Sequence, residues 1–282
     1  VVRIAPGSGF CLLFIALALA VTDAITRLRP GPWQRVILLL AAVGAAGAAL
    51  AHGTFDHLSV MREYAVHAER FAHEARRHVQ LAFGSLGAAI LAALPLGILC
   101  HRVPRLRAGV LGTLNFVQTI PAIALFGILM APLGALAAHV PLAASLGVSG
   151  IGAAPAVIAL FLYSLLPIAA NTVAGLERVS PAAVDAARGM GMTGRQILFG
   201  VEFALALPVI LTGIRIVMVQ NIGLVTVAAL IGAGGLGTFV FRGIGETAID
   251  LVLLGALPTV VLAFASAIVL DALVEAMDRT RR

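Results

Sequence analysis

Long apolar runs alternate with short polar segments along nearly the whole chain, and this pattern is typical of membrane-spanning helices. A helix needs about 20 mostly apolar residues to cross the hydrocarbon core of a bilayer. Seven runs approach this length, at approximately 10–26, 35–52, 79–101, 109–134, 152–176, 204–231 and 250–272. The sequence therefore predicts an all-α, polytopic membrane helix bundle with about seven transmembrane helices.

Charge is almost absent from the centre of the chain, which strengthens the membrane prediction. The stretch 108–176 contains no Asp, Glu, Lys or Arg. Of the 282 residues, 61% are apolar and 11% are charged, and the mean hydropathy is +1.06. Since soluble domains carry about 25% charged residues, this composition excludes an ordinary soluble enzyme or binding domain.

The basic side chains indicate membrane topology. All 19 are arginines, they give a net charge of +6, and they lie mostly between the apolar runs. They form no single basic face and match no nucleic-acid-binding motif, so nucleic acid is not an expected partner, whereas contact with membrane lipid headgroups is. If loop 102–107 is cytoplasmic, twelve arginines fall inside and six outside. The positive-inside rule then predicts an extracytoplasmic N-terminus and a cytoplasmic C-terminal tail at 279–282.

Residues 1–54 contain the first two spans, for which the sequence indicates no role. The first run could instead be a cleaved signal peptide, because Ala18-Leu19-Ala20 matches the small-residue pattern of a cleavage site. Only Arg3 precedes this run, whereas Arg27 and Arg29 follow it. That distribution favours a retained helix whose N-terminus is extracytoplasmic.

Residues 55–78 are predicted to form an amphipathic extracytoplasmic helix that does not span the membrane. Arg70 and Glu74 are spaced i,i+4, as in helical ion pairs. Four histidines fall in this segment, namely His57, His67, His73 and His78. No two of them share the i,i+4 spacing of paired metal ligands on one helical face, so solvated or interfacial histidines are favoured and no metal site is predicted.

The connection between the fifth and sixth spans, residues 177–200, contains a predicted short helix. Ser180 is a favoured N-cap residue, and Pro181 suits the first helical position. Asp185 and Arg188 are spaced i,i+3 on one face.

Local signals also end this helix and start the next one. Gly189 and Gly191 are expected to terminate it, and Thr193 with Gln196 matches a capping box. From these features alone, an interfacial loop helix and a docking element for a cytoplasmic partner are equally good interpretations.

Asp185-Ala186-Ala187, followed after three residues by Gly191, resembles the E-A-A-x-x-x-G loop of binding-protein-dependent ABC importer permeases. In that family the loop is the coupling helix, which docks into a groove on a separate ATPase subunit. The resemblance implies this coupling role for eight residues: Ser180, Pro181, Asp185, Ala186, Ala187, Arg188, Gly189 and Gly191.

Four longer blocks are similar to permeases of the glycine betaine/choline (osmoprotectant) group. They are QTIPAIALFG at 118–127, LLPIAANT at 165–172, DAARGMGMTGRQILFGVE at 185–202 and GIRIVMVQNIGLVTVAALIGAGGLG at 213–237. They occur in the family's order, so the resemblance covers about 79–278. It implies a type I ABC importer permease core for these residues.

Two departures from the family pattern concern the coupling loop. Asp185 replaces the usual Glu and keeps the negative charge on a shorter side chain. Val201-Glu202-Phe203-Ala204 stands where the family has I-x-L-P. The missing proline bears on how sharply the helix bends after the loop.

Polar residues inside the predicted spans are the best candidates for contact with a passing solute. They are Asn115, Gln118, Thr119, Asn171, Gln220 and Asn221. Hydrogen bonding between helices is the commoner role of such side chains and is the favoured alternative for each.

Arg215 and Pro121 complete this candidate pathway set. A charge within a span is costly and is usually functional or paired, but Arg215 could equally extend to the lipid headgroups. Pro121 interrupts the fourth span, and broken helices are common around transport pathways.

Three classes of function were weighed against these residues. A secondary carrier usually has a membrane-buried Asp, Glu or His, and the central spans have no buried carboxylate. An intramembrane enzyme lacks support, because no catalytic motif is present and no catalytic residue is predicted. The glycine run 232–237 cannot be a nucleotide-binding P-loop without a lysine, and it predicts instead a sharp turn near the outer membrane surface.

The prediction is therefore a permease subunit that moves a small quaternary-ammonium osmoprotectant, such as glycine betaine or choline, into the cytoplasm by alternating access. Its implied partners are a dimer of ABC ATPase subunits, an extracytoplasmic solute-binding protein, and a second permease copy or sister permease. No cofactor is expected in this chain, since the partner ATPase would bind ATP. A permease for another small solute, such as an amino acid, is the alternative, and an ion-coupled carrier is less favoured.

Overall fold

The computed structural model describes residues 30–279 continuously and only isolated positions before residue 30. Its principal elements are helices, which we number α1 Pro32–Ala51, α2 Ser59–Arg102, α3 Pro104–Thr119, α4 Ala122–His139, α5 Pro141–Ser145, α6 Ala153–Glu177, α7 Pro181–Gly189, α8 Gly194–Ile197, α9 Phe203–Ala228, α10 Gly237–Gly245 and α11 Ile249–Arg279. A π-helical turn, Leu198–Glu202, joins α8 to α9. The predicted span at 10–26, with its signal-peptide alternative, and tail residues 280–282 lie outside the continuously described part.

Six helical segments of this described part are long and apolar enough to cross a membrane. They are α1, α2, α4, α6, the segment Gly194–Ile231 that contains α9, and α11 up to Met277. They correspond to six of the seven predicted spans. The prediction of an all-α, polytopic bundle is confirmed.

The second helix differs from the prediction, because most of the expected surface helix at 55–78 runs without a loop into the span at 79–101. α2 has 44 residues, which corresponds to about 66 Å along the helix path. It is kinked at His67, which has non-helical backbone angles, and the single proline inside it is Pro95. A bilayer core is about 30 Å thick, so the N-terminal part of α2 extends beyond it and packs against α10 and α11 through Phe71 and Phe239.

The fourth predicted span, 109–134, is instead two helices. α3 ends at Thr119, Ile120 is extended with φ −73° and ψ 126°, and Pro121 caps α4. A proline has no backbone N–H and disfavours helical angles in the residue before it. The break therefore follows from Pro121, which the prediction had placed inside a single span.

Two long helices, α6 and α9, form the centre of the bundle. They approach closely where Gly213 of α9 faces Asn171 and Pro167 of α6, since a Cβ at residue 213 would lie 2.7 Å from Asn171 Cβ. α2 packs against both helices. α1 lies at the periphery, where its Arg35 contacts Glu275 of α11 at 3.1 Å.

Candidate functional site

The predicted short helix, to which the family resemblance assigns coupling, is present as α7, and its start is capped as expected. Ser180 is the N-cap residue, and its hydroxyl accepts a hydrogen bond from the backbone N–H of Ala183 at 3.3 Å. Pro181 occupies the first turn, where its missing N–H leaves no hydrogen bond unmade. Asp185 and Arg188 are both exposed and form an i,i+3 ion pair at 3.3 Å.

The end of α7 is fixed by two backbone hydrogen bonds. Gly191 has φ +81°, and its N–H donates to Arg188, while the N–H of Met192 donates to Ala187. This is the Schellman arrangement, which favours glycine at the left-handed position. The predicted capping box of α8 is also present, formed by Thr193 and Gln196. The loop 180–197 therefore holds one defined conformation.

α7 rests on the bundle through Ala187, with Ala183 and Val184 half-buried, and presents its opposite face to solvent. Ala187 is buried, whereas Ala186 and Gly189 are exposed. The Met190 side chain at the tip is 75% exposed. An exposed methionine on a loop of fixed shape is suited to insertion into an apolar depression on another protein.

A cleft of about 400 Å³ separates α7 from the ends of α2 and α6. Asp185 and Arg188 line one wall, and His101, Glu177 and Glu202 contribute polar groups to the others. Glu202 is buried and accepts a hydrogen bond at 2.6 Å from Arg102 at the end of α2. Sequence analysis missed this ion pair because nothing local connects residues a hundred positions apart.

The segment that follows the coupling loop is a π-helical turn, at the position where the family pattern has a proline. Leu198–Glu202 forms this turn, and α9 continues directly from it. π-Turns are frequent at functional sites. The turn links the coupling loop to α9, and Glu202 links it to α2.

The predicted pathway residues do not converge on one cavity. They line neither the cleft under α7 nor an apolar groove between α2 and the start of α9. On the outer face of α3, Asn115 and Thr119 are exposed, and the Thr119 hydroxyl donates to the carbonyl of Phe116 at 2.7 Å. Pro121 is exposed at the α3–α4 break. Gln220 is half-buried on α9.

Gln118 bridges the α3–α4 break to α6. Its side-chain N–H donates to the carbonyl of Tyr163 at 2.7 Å, and the Tyr163 hydroxyl donates back to the carbonyl of Ile120. The second bond satisfies a carbonyl at the place where the helix is interrupted. Asn171 donates to the carbonyl of Pro167 in its own helix at 2.8 Å, which stabilises α6 around that proline.

Asn221 is fully buried among three helices. Its side-chain nitrogen lies 3.2 Å from the Ser85 hydroxyl of α2 and 3.1 Å from the Ser164 hydroxyl of α6. Both serines also donate to carbonyls of their own helices. In this conformation Asn221 holds helices together.

Asn221→Ala is accordingly expected to lower the stability of the chain by about 1–3 kcal/mol. The expected loss is limited because Ser85 and Ser164 keep their hydrogen bonds to backbone carbonyls. Gln220→Ala is the control, with little expected change. Thermal unfolding of the purified chain in detergent measures both, and a stable Asn221→Ala chain that has lost transport would contradict the packing role.

Arg215 forms an ion pair with Asp271 of α11, and both side chains are partly exposed. Of the alternatives that sequence analysis left open for Arg215, the structure therefore shows the paired one. Asp271 lies near the end of the last predicted span, so the partner was visible in the sequence but its proximity was not.

Arg215→Ala and Asp271→Ala are each expected to destabilise the bundle, because each leaves one charge without its partner at the membrane. The double variant should be less damaging than the sum of the two, with a coupling energy of about 1 kcal/mol. A double-mutant cycle on unfolding midpoints measures this. Strictly additive effects would exclude a stabilising role for the pair.

At the other end of the bundle, the predicted turn in the glycine run is confirmed, and α2 holds it in place. Gly232, Gly234 and Gly235 have positive φ angles. The carboxylate of Glu74 accepts a hydrogen bond from the Gly235 N–H at 2.6 Å. Glu74 therefore does not simply pair with Arg70 on the helix surface, as its spacing had suggested.

His78 is the second part of this clamp and is fully buried, so the prediction of a solvated or interfacial residue is wrong for it. Its Nδ1 accepts from the Leu236 N–H at 3.3 Å, and its Nε2 lies 3.0 Å from the Ile222 carbonyl oxygen. Both ring nitrogens are thus satisfied by backbone groups. Arg77 donates to the carbonyl of Ala233 at 3.2 Å. We call Glu74, Arg77 and His78 the glycine-loop clamp.

Comparison with known proteins finds similar permeases of osmoprotectant transport systems. The osmoprotectant import permease protein OsmW of Salmonella typhimurium is 46% identical over 195 residues, which cover 69% of this chain and 84% of that protein. The glycine betaine/carnitine/choline transport system permease protein OpuCD of Bacillus subtilis is 37% identical, covering 73% of this chain and 83% of that protein. A structure of the MetNI methionine ABC transporter in an inward-facing conformation aligns with a TM-score of 0.61 at 23% identity, over 73% of this chain and 95% of that one; it supports the fold.

Family models match both parts of the chain. Residues 1–61 match the description "ABC transporter permease YehY, N-terminal domain". Residues 89–282 match the description "Binding-protein-dependent transport system inner membrane component", and this match covers more than half of the chain. The predicted importer-permease fold is confirmed, and the chain belongs to the family of binding-protein-dependent transport system inner membrane components, as a multi-pass inner-membrane protein.

Proposed function

We propose that this chain is the membrane-spanning subunit of an ATP-driven importer for small quaternary-ammonium osmoprotectants such as glycine betaine or choline. The observation that carries the proposal is the coupling helix α7, capped at both ends and presented at one end of an importer-permease bundle. The relatives named above, which are osmoprotectant and betaine/carnitine/choline permeases, support the substrate class.

In this proposal α7 receives mechanical work from a separate ATPase and passes it to the bundle. The Ser180 cap, the Gly191 turn and the capping box keep the loop in one shape, so a push on Met190 or on the Asp185–Arg188 pair moves the loop as a unit. Movement continues through the π-helical turn into α9, and through the Arg102–Glu202 pair into α2. This chain itself supplies no group for ATP hydrolysis, which we assign to the partner subunit.

Selection of the solute is assigned mainly to an extracytoplasmic binding protein. A quaternary ammonium is best recognised by several aromatic rings around it. The chain has one Trp and two Tyr. Tyr163 is buried and its hydroxyl bonds to Ile120, and Tyr64 packs edge-on against Phe71. Tyr163 is thus committed to packing, and this supports our assignment of the discriminating site to the partner.

We assign the exposed polar side chains of α3 to the interface with a second permease, either another copy or a sister chain. Asn115 and Thr119 would be costly against lipid, and a shared pathway between two permeases gives them polar surroundings. The end that carries α7 then faces the cytoplasm, as the arginine distribution predicts.

The test is uptake of labelled glycine betaine and choline in osmotically stressed cells that lack their own betaine uptake. This chain, expressed with its ATPase and binding protein, is expected to restore uptake of at least one of them. Replacing the P-loop lysine of the ATPase should abolish that uptake. Restored uptake of an amino acid alone would favour the alternative substrate, and uptake that survives the lysine replacement but stops when ion gradients are collapsed would indicate a secondary carrier.

A further inference from the structure

An apolar groove of about 550 Å³ runs along the outer side of α2, beside the π-helical turn and the start of α9. Its volume falls in the range of about 300–1,000 Å³ that is usual for ligand pockets. One polar residue, Arg102, takes part in its lining; the groove is otherwise apolar and includes Ile90, Leu94, Ile98, Phe199 and Phe203.

The length of the groove matches one leaflet of a bilayer. From Ile90 to Arg102 the helix rises about 18 Å, and half of the hydrocarbon core is about 15 Å. The Arg102 end lies beside the cleft under α7, because His101 and Glu202 line that cleft. The groove therefore runs from the middle of the membrane to the headgroup level on the coupling-helix side.

The cross-section of the groove fits a hydrocarbon chain better than a helix. Dividing the volume by the length gives a mean cross-section of about 30 Å². A helix with side chains is about 10 Å across and would need about 80 Å². A transmembrane helix of another subunit is thus too wide to enter the groove and could only lie across its opening.

Arg102 lies at one end of the groove, and its free hydrogen-bond donors are suited to a phosphate group. Its side chain is 44% exposed, and one Nη2–H donates to Glu202 at 2.6 Å. Among the described residues its Nε and Nη1 have no partner, and each can donate a hydrogen bond to a phosphate oxygen. Glu202 is buried beneath the arginine and does not line the groove, so the groove offers no carboxylate to the amine of a zwitterionic headgroup.

We propose that this groove binds one anionic phospholipid, with an acyl chain between α2 and Phe199 and the phosphate on Arg102. Basic pockets between membrane helices are known to hold anionic headgroups. The bound lipid would contact the π-helical turn that connects the coupling loop to α9.

The test uses tryptophan fluorescence of the full chain in vesicles, quenched by phospholipids with brominated acyl chains. Trp33 is the only tryptophan, so Trp33→Phe provides a silent background. Phe199→Trp reports on the groove, and Phe264→Trp on α11 is the matched control, since the two phenylalanines are 64% and 63% exposed. Brominated phosphatidylglycerol is compared with brominated phosphatidylcholine for each reporter.

At the groove reporter we expect phosphatidylglycerol to be preferred over phosphatidylcholine by at most about fivefold, the effect of one unpaired arginine near the membrane surface, because Glu202 already neutralises part of the Arg102 charge. At the control reporter we expect no preference between the two lipids. Arg102→Gln with Glu202→Gln, which keeps a hydrogen bond and the local net charge, should remove the preference, whereas Glu202→Gln alone should not reduce it. If the double variant fails to fold, Leu94→Trp in place of the groove reporter must show the same preference with Arg102 intact. Equal preference at groove and control, or a preference that persists without Arg102, overturns the proposal.

Discussion

Gly191→Val is expected to reduce solute uptake at least tenfold while leaving the chain folded in the membrane. Gly191 has φ +81°, and no atom lies within 4 Å of the position its Cβ would take. The loss of uptake would therefore come from the backbone conformation and not from a steric clash, because a β-branched residue is strongly disfavoured in the left-handed region. The Schellman bonds of Met192 and Gly191 would be lost and the loop redirected, at a cost of about 1–3 kcal/mol that falls on the loop alone.

Gly194→Ala is the matched control for this experiment. Gly194 is helical and lies outside the predicted coupling set, also has no neighbour within 4 Å of a Cβ, and should accept alanine with unchanged uptake. Uptake and co-purification of the ATPase subunit are measured together for both variants. If Gly191→Val retains both, the coupling role of the loop 180–191 is wrong.

Glu74→Leu is expected to destabilise the chain by about 3 kcal/mol and to prevent its accumulation in the membrane. Glu74 is buried, and its carboxylate accepts a hydrogen bond from the Gly235 backbone N–H. Leucine has similar bulk but cannot accept a hydrogen bond, so this N–H would remain buried without a partner. The glycine loop would then be held only by Arg77 and His78.

Glu69→Leu tests whether this effect belongs to the position rather than to the loss of a negative charge from α2. Glu69 is exposed on the same helix, and its replacement should change stability by less than about 0.5 kcal/mol. Thermal unfolding of both purified variants in detergent gives the comparison. Equal unfolding midpoints would show that the glycine-loop clamp contributes nothing to stability.

The coupling loop was predictable from sequence because its signals are local. The Ser180 cap, the Pro181 start, the glycine stop and the Thr193–Gln196 box each act within a few residues, and the structure contains all four. The spans were predictable for a related reason, since composition alone distinguishes 20 apolar residues from a loop.

The glycine-loop clamp was not predicted, because it joins residues about 160 positions apart. Two clues were nevertheless present in the sequence. Glu74 and His78 are spaced i,i+4 directly before a span, and the glycine run has backbone N–H groups that need acceptors once buried. Linking the carboxylate and imidazole to the glycine run required knowing that α2 continues unbroken from Glu74 into the span. The predicted start of a span does not show whether the helix begins there or earlier.

The ion pairs Arg102–Glu202 and Arg215–Asp271 were missed for the same reason. The sequence identified Arg102 as a topology signal and Arg215 as a charge within a span. Local patterns do not show which distant carboxylate each arginine contacts. The break at Pro121 was recognised only as a proline within a span. The Tyr163 hydroxyl satisfies the Ile120 carbonyl at this break, and Gln118 on the α3 side donates to the Tyr163 carbonyl of α6, which no local pattern could predict.

The continuity of α2 has a mechanical consequence. α2 is bonded to the glycine loop through Glu74 and His78. It is bonded to Glu202 through Arg102, about 40 Å away along the helix. If the helix tilts as a rigid body by about 5° about its middle, its two bonded ends move in opposite directions by nearly 2 Å each. Work delivered beside the coupling loop can thus reach the far side of the membrane through one helix, without a relay of side chains.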